Sequence, residues 1–278
     1  MDGLNASKKQ RQMDKTINFF SVCSNLIRST PESTAQDLHF EDFIVPFIFF
    51  SLFSSSNAKC EIVVNRKEFI KENQDALNEL VKVMGYRFKI REEKLKQKAD
   101  VSRFLLQPTI KCDYTYISDI DILITEKSIE NYYNKIFSTI KLPYSNVKRG
   151  DGPLLTGTFC VDTEKYYTQE MKRLMNSFNS NNLQNQRDEC VLFDIVSKAH
   201  GLPTSSMNED MQKYRPIHGI HTSLNRPPRA PNYQPDFPSW GLTELNVKQY
   251  DKISQSDQFK TIYPFFTDRY KNILNKIR

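Results

Sequence analysis

Short apolar runs alternate with amphipathic stretches along the first half of this chain, and the spacing predicts strands and helices in turn. Ile17-Asn-Phe-Phe-Ser-Val-Cys23 is a strand pattern that ends at Ser24-Asn25. Residues 41–54 form an apolar helix, stopped by Ser54-Ser-Ser-Asn57, and residues 60–64 a second buried strand. Phe69, Ile70, Leu77, Leu80 and Val81 recur at helical spacing over 67–84, with Gly85 where a helix stop belongs. A third, shorter strand follows over 86–90. Next comes a helix over 94–106 that carries Arg103 and stops before Pro108. Residues 114–124, Tyr-Thr-Tyr-Ile-Ser-Asp-Ile-Asp-Ile-Leu-Ile, then read as one buried strand interrupted only by Asp119 and Asp121.

The second half is less regular. A helix is predicted over 128–140, and a strand over 154–161 that Gly157 breaks. A helix over 166–178 and a polar loop over 179–186 precede another helix from Asp188, whose acidic first turn suits the helix dipole. Prolines crowd 203–240, which reads as an irregular wrapping segment, and a last helical stretch covers 259–277. Strands that alternate with helices imply parallel pairing and an open α/β sheet, whose ligand site lies at the carboxyl ends of its strands.

Composition narrows the chemistry. With 8 Gly against 19 Phe and 13 Tyr, no Gly-rich phosphate loop is present, so a bound phosphate needs a cation and basic side chains instead. The net charge of +6 is spread over Lys8-Lys9-Arg11, residues 87–98 and the C-terminus, which read as solvated faces rather than a nucleic-acid stripe. Peripheral contact with an anionic membrane surface is compatible with these basic ends. The five cysteines are scattered and never form CxxC, the pattern of small buried residues in a reducing compartment. The polar leader lacks a signal-peptide core, and the apolar run at 43–53 is too short to span a bilayer. A cytoplasmic protein without a transmembrane segment is the expectation.

Asp119 and Asp121, two apart on a strand, project to one face. Such a pair in a buried run is costly unless a cation or a shared proton compensates, and a divalent metal that grips phosphate oxygens is the common reason for it. The alternative is a strand end whose aspartates face water. His218 and His221 fall close together in Tyr214-Arg-Pro-Ile-His-Gly-Ile-His-Thr-Ser-Leu-Asn-Arg226, and one of them is a candidate third ligand for Mn2+ or Mg2+. Arg103 could hold a phosphate or pair with a carboxylate. The Thr156-Gly157 break either admits a sugar to the backbone or is a packing bulge.

Taken in order, these residues resemble the glycosyltransferase A (GT-A) fold, and within it the glycogenin-like sugar transferases. In that family an Arg-bearing helix precedes a Tyr-x-Asp-x-Asp strand. A glycine-interrupted acceptor strand, an acidic helix start and a metal-ligand histidine come after it. Here Arg103, Asp119 and Asp121, residues 154–161, Asp188/Glu189, and His218 or His221 match these features. Leu-Thr-Gly stands where the family has Asn-x-Gly, and Arg226 where it has a lysine. The resemblance implies a GT-A domain over 1–240, with its core at about 17–226 and a mixed, mostly parallel sheet between helices. Residues 241–278 would then be a C-terminal helical extension.

The implied activity is hexosyl transfer from a nucleoside diphosphate sugar, a UDP sugar first, to a saccharide, lipid-linked or protein hydroxyl. The resemblance further implies metal ligands at Asp119, Asp121 and His218 or His221. Donor contacts fall to Ser24, Asn25, Arg103, Asp119, Thr156, Gly157 and Arg226. Asp188, Glu189, Arg103 and Asp151 are candidates near the reacting sugar, Asp188 foremost. Two other readings compete. One is a nucleotidyltransferase of the polymerase β type, which shares the Ser-Asp-Ile-Asp strand but needs a Gly-Ser turn that residues 106–112 lack. The other is a non-catalytic binding module on the same fold.

Overall fold

The computed structural model describes residues 14–24, 27–28, 38–150, 152–183, 185–222 and 242–277. Strands β1 (Ile17–Cys23), β2 (Ile27–Arg28), β3 (Leu38–His39), β4 (Ala58–Val64) and β5 (Phe88–Glu92) come first. They are followed by β6 (Tyr114–Ile117), β7 (Ile122–Ile124), β8 (Tyr144–Ser145), β9 (Phe159–Asp162) and β10 (Gly219–His221). Helices α1 (Ile44–Ser54), α2 (Glu68–Glu72), α3 (Gln74–Met84), α4 (Ala99–Leu105), α5 (Ile129–Phe137) and α6 (Thr163–Tyr166) are interspersed. The rest are α7 (Gln169–Ser180), α8 (Asp188–Ala199), α9 (Met207–Tyr214), α10 (Glu244–Ser254), α11 (Asp257–Ile262) and α12 (Asp268–Asn275).

Six strands build the central sheet in the order β5-β4-β1-β6-β9-β8. The first four run parallel; β9 is antiparallel to β6, and β8 to β9. This is the mixed, mostly parallel α/β sheet flanked by helices that the resemblance implied, and its first four strands pair in parallel as the alternation predicted. All seven residues of β1 are buried, because the strand lies between β4 and β6 with both faces covered. From β1 the chain steps outward to β4 and β5, then returns to the other side of β1 as β6. The strand order therefore reverses between β1 and β6, and an open sheet has its crevice at the carboxyl ends flanking such a reversal.

Successive side chains of each strand feed two cores. Phe19, Cys60 and Tyr116 pack with α1, α3 and the C-terminal helices, while Phe20, Val63 and Ile117 pack with α4, α7 and α8. The apolar α1 is buried on nearly every side, against β4, β7 and α3. Phe50 adds edge contact with Phe259 at 6.0 Å between ring centroids. Tyr250, Ile262, Tyr270 and Ile273 belong to the same core as β1, so the C-terminal helices help to close it. Among the described residues no helix is long and apolar enough to cross a membrane. Cys23, Cys60 and Cys160 are buried, Cys112 and Cys190 are partly so, and none forms a disulfide.

Several elements differ from their predicted extent. The helix over 67–84 breaks at Asn73, whose side-chain amide and backbone N–H both donate to Phe69 O at 3.0 Å. The strand over 154–161 is reduced to β9, with Leu155 making only an isolated bridge to Lys148. The proline-rich segment holds both α9 and β10, and α10 precedes the predicted last helix. The largest difference is at 114–124, which is two strands. β6 belongs to the central sheet, β7 pairs with β10 in a separate ladder, and Ser118–Asp121 turn between them.

Candidate functional site

Asp119 and Asp121 thus sit in a turn just past β6, at the order reversal, rather than along one strand. Backbone bonds fix both ends of this turn. Ser118 N donates to Phe20 O at 3.2 Å and Ser21 Oγ to Ser118 O at 2.9 Å, which tie it to β1. Thr222 donates to Asp121 O from both its N and its Oγ1, each at 2.7 Å, which ties it to the end of β10.

β10 lies antiparallel to β7 with His221 opposite Ile122. Gly219 permits the pairing: a Cβ at that position would stand 2.0 Å from Leu123 O. As a result, ligand atoms of Asp119, Asp121 and His221 come within 4.8 Å of one another. His221 Nε2 is 3.5 Å from Asp121 Oδ1. Asp121 is 2% exposed, and its Oδ1 accepts no hydrogen bond from the described residues. A cation would stabilise a buried carboxylate oxygen in that condition, and two carboxylates with an imidazole could hold Mn2+ or Mg2+.

His218, the other candidate ligand, is placed differently. Its Nδ1 is 2.6 Å from Glu126 Oε2 and its Nε2 is 2.9 Å from the Tyr133 hydroxyl, so both ring nitrogens are taken. The rings of Tyr116, Tyr132 and Tyr133 surround it at 5.6, 5.2 and 5.3 Å. Its φ of 58° lies in the left-handed region, and its carbonyl accepts from the backbone N–H groups of Thr125 and Glu126. Burial pushes the Glu126 carboxyl up, but the hydrogen bond and charge of His218 more than offset this and hold it below the ordinary value.

Arg103 links the aspartate turn to α8. Its Nη1 donates to Asp119 Oδ1, and its Nη2 to Asp188 Oδ2 at 2.8 Å. Burial acts to lower the guanidinium pKa, but Asp119 and Asp188 outweigh it and hold it above the ordinary arginine value. Burial dominates at Asp188 and raises its carboxyl, against the pull of Arg103. Arg103 therefore answers the carboxylate-pairing reading directly.

Glu189, the next residue, is gripped by Arg149 and by Arg187, whose Nη2 is 2.8 Å from Oε2. Thr156 is bound on three atoms by Asn146: its N and Oγ1 donate to Asn146 Oδ1 at 3.2 and 2.5 Å, and its O accepts from Asn146 Nδ2 at 3.0 Å. Gly157 faces Arg103 and Asp188. Ser24 is buried at the carboxyl end of β1. Asn25, Asp151 and Arg226 lie outside the described residues.

Arg215 was not singled out by its sequence, although it stands beside a proline within the histidine segment. It is 7% exposed, and burial pulls its guanidinium below the ordinary value against the opposing carboxylate charges of Asp119 and Glu189. It is a buried cation in the field of two of the site's carboxylates.

No protein-family profile matches the chain, and no curated protein matches it. Among solved structures it is similar to the glycosyltransferase GlyE of Streptococcus pneumoniae TIGR4. The apo form and a second crystal structure superpose with TM-scores of 0.44 and 0.45 at 12% identity. Each superposition covers 93% of this chain, and the chain spans 64% of the length of GlyE.

Proposed function

We propose that the chain is a metal-dependent glycosyltransferase of GT-A type that moves a sugar from a nucleoside diphosphate sugar, a UDP sugar first, to a hydroxyl of a glycan, lipid-linked or protein acceptor. One observation carries the reading: Asp119, Asp121 and His221 converge at the order reversal of an open α/β sheet, with a buried Asp121 oxygen lacking a donor among the described residues. These three residues would hold Mn2+ or Mg2+. A divalent ion there supplies neutralisation of the charge that develops on a departing diphosphate.

The chain's own residues have separable parts in this reading. Asp119 would bind the ion, with its carboxylate oriented by Arg103. Asp188, at the start of α8 and paired to the same guanidinium, would face the donor sugar or the acceptor. Ser24, at the end of β1, borders the crevice where a base or ribose would rest. Glu189 is held in place by Arg149 and Arg187.

Thermal shift with manganese, screening UDP, GDP and ATP, tests the reading. Stabilisation by UDP only when manganese is present is the expected outcome; an ATP preference favours a nucleotidyltransferase instead. Asp121→Asn should abolish metal-dependent UDP-sugar hydrolysis or transfer with the fold retained. Unchanged turnover in that variant refutes the assignment.

A further inference from the structure

The structure assigns Gly157 a positioning role: its missing side chain is the socket that the Arg103 guanidinium occupies, and through Arg103 it sets where the Asp119 carboxylate stands. The part of the inference that concerns metal rests on the reading proposed above. A Cβ at Gly157 would lie 2.6 Å from Arg103 Nη2, 3.6 Å from Arg103 Cζ and 3.4 Å from Asp188 Oδ2. The first distance is shorter than two such atoms tolerate, so one side must yield.

The end of a long side chain ordinarily yields at little cost, but this one has no slack. Arg103 is 3% exposed, Asp119 and Asp188 bind its two terminal nitrogens, and its Cζ lies 4.7 Å from the centre of the Phe104 ring. Moving the guanidinium removes it from one carboxylate or both, and a buried ion that loses its partner is strongly destabilised.

The backbone on the other side is equally fixed. Asn146 holds Thr156 through N, O and Oγ1, and Leu155 N donates to Glu189 O at 3.5 Å. A methyl group at 157 therefore acts on Arg103, and Arg103 hands the displacement to Asp119. The glycine two residues before β9 is explained by a guanidinium, without appeal to a sugar.

The test is a double-mutant cycle with Gly157→Ala, Arg103→Lys and both together. It reads Mn2+ affinity by the EPR signal of free manganese and unfolding in metal-free denaturant. Lysine lacks the nitrogen that the new Cβ meets. Gly157→Ala should weaken manganese binding roughly 10- to 100-fold beside Arg103, the size of effect seen when a metal ligand loses its supporting contact. Beside Arg103→Lys the same substitution should add little to either readout, the coupling expected of residues in contact.

Equal losses in the two backgrounds, or manganese affinity unchanged by Gly157→Ala, overturn the inference and leave the metal reading intact. A wild-type chain that takes up no manganese overturns the metal reading and the claim about Asp119 with it. If Gly157→Ala alone does not fold, the double variant, free of the collision, should. Failure of both also overturns the inference.

Discussion

His218 and His221 are three residues apart in one short segment, yet β10 hands them to opposite environments. His218 enters a box of three tyrosine rings with a hydrogen-bond partner on each nitrogen. His221 faces two carboxylates, one of them buried. The difference teaches that residue type and spacing do not make a ligand. An imidazole with both nitrogens engaged holds structure, whereas one directed at an incompletely bonded carboxylate can share a cation with it.

Gly219→Ala should break both environments at once, because the added Cβ cannot coexist with Leu123 O at 2.0 Å. A loss of about 3 kcal/mol in denaturant unfolding, together with loss of manganese binding, is expected for so severe an overpacking. Wild-type stability in this variant would show that β10 does not depend on the close approach.

Replacing each histidine separately sharpens the contrast. His218→Ala strips partners from Glu126 and the buried Tyr133 hydroxyl, and should cost about 2–4 kcal/mol of stability. His221→Ala, which removes a partly buried ring beside Asp121, should cost less metal-free stability than His218→Ala, about 1 kcal/mol. Its manganese affinity should fall by more than about 100-fold, beyond the range of supporting residues. Calorimetry on the two variants side by side decides the matter, and interchangeable effects sink the comparison.

The smallest effect concerns pH. The folded-state value of Glu126 is held below the ordinary glutamate value of 4.5, so its contribution to stability is complete above that value. The contribution disappears as pH falls through the lowered one. Thermal melts taken from neutrality into acid should fall more steeply for wild type than for Glu126→Gln. Parallel curves would mean that the contact with His218 contributes nothing at equilibrium.

Much of the scaffold is legible in sequence. The span of β1 is read without error from its apolar run, and the alternation of strands and helices gives the parallel core. Local signals fail where tertiary contacts set the boundaries. Residues 114–124 look like one strand because burial on both faces gives the same apolar composition to a strand in the central sheet and to β7 beneath α1. Period-two spacing places Asp119 and Asp121 on one side, and the two do converge with one imidazole, but a turn brings them there. β10 is missed because three residues amid prolines carry no periodicity.

Pair identities follow the same logic. Arg103 is recognisable as a basic residue on the helix before the aspartates, and Asp188 as an acid at a helix start. That one guanidinium spans Asp119 and Asp188 while Gly157 makes room for it depends on residues up to 85 positions apart.

The sequence by itself determined the α/β class, the parallel core and the small set of acids, histidines and arginines from which a cation site could be drawn. Hydrophobic periodicity and residue chemistry are local properties written along the chain. Only the tertiary structure decided which histidine meets the aspartates, which carboxylate keeps an oxygen without a donor among the described residues, and which glycine admits Arg103. Those outcomes follow from how segments distant in sequence fill one another's space, and close packing leaves each such position a single occupant.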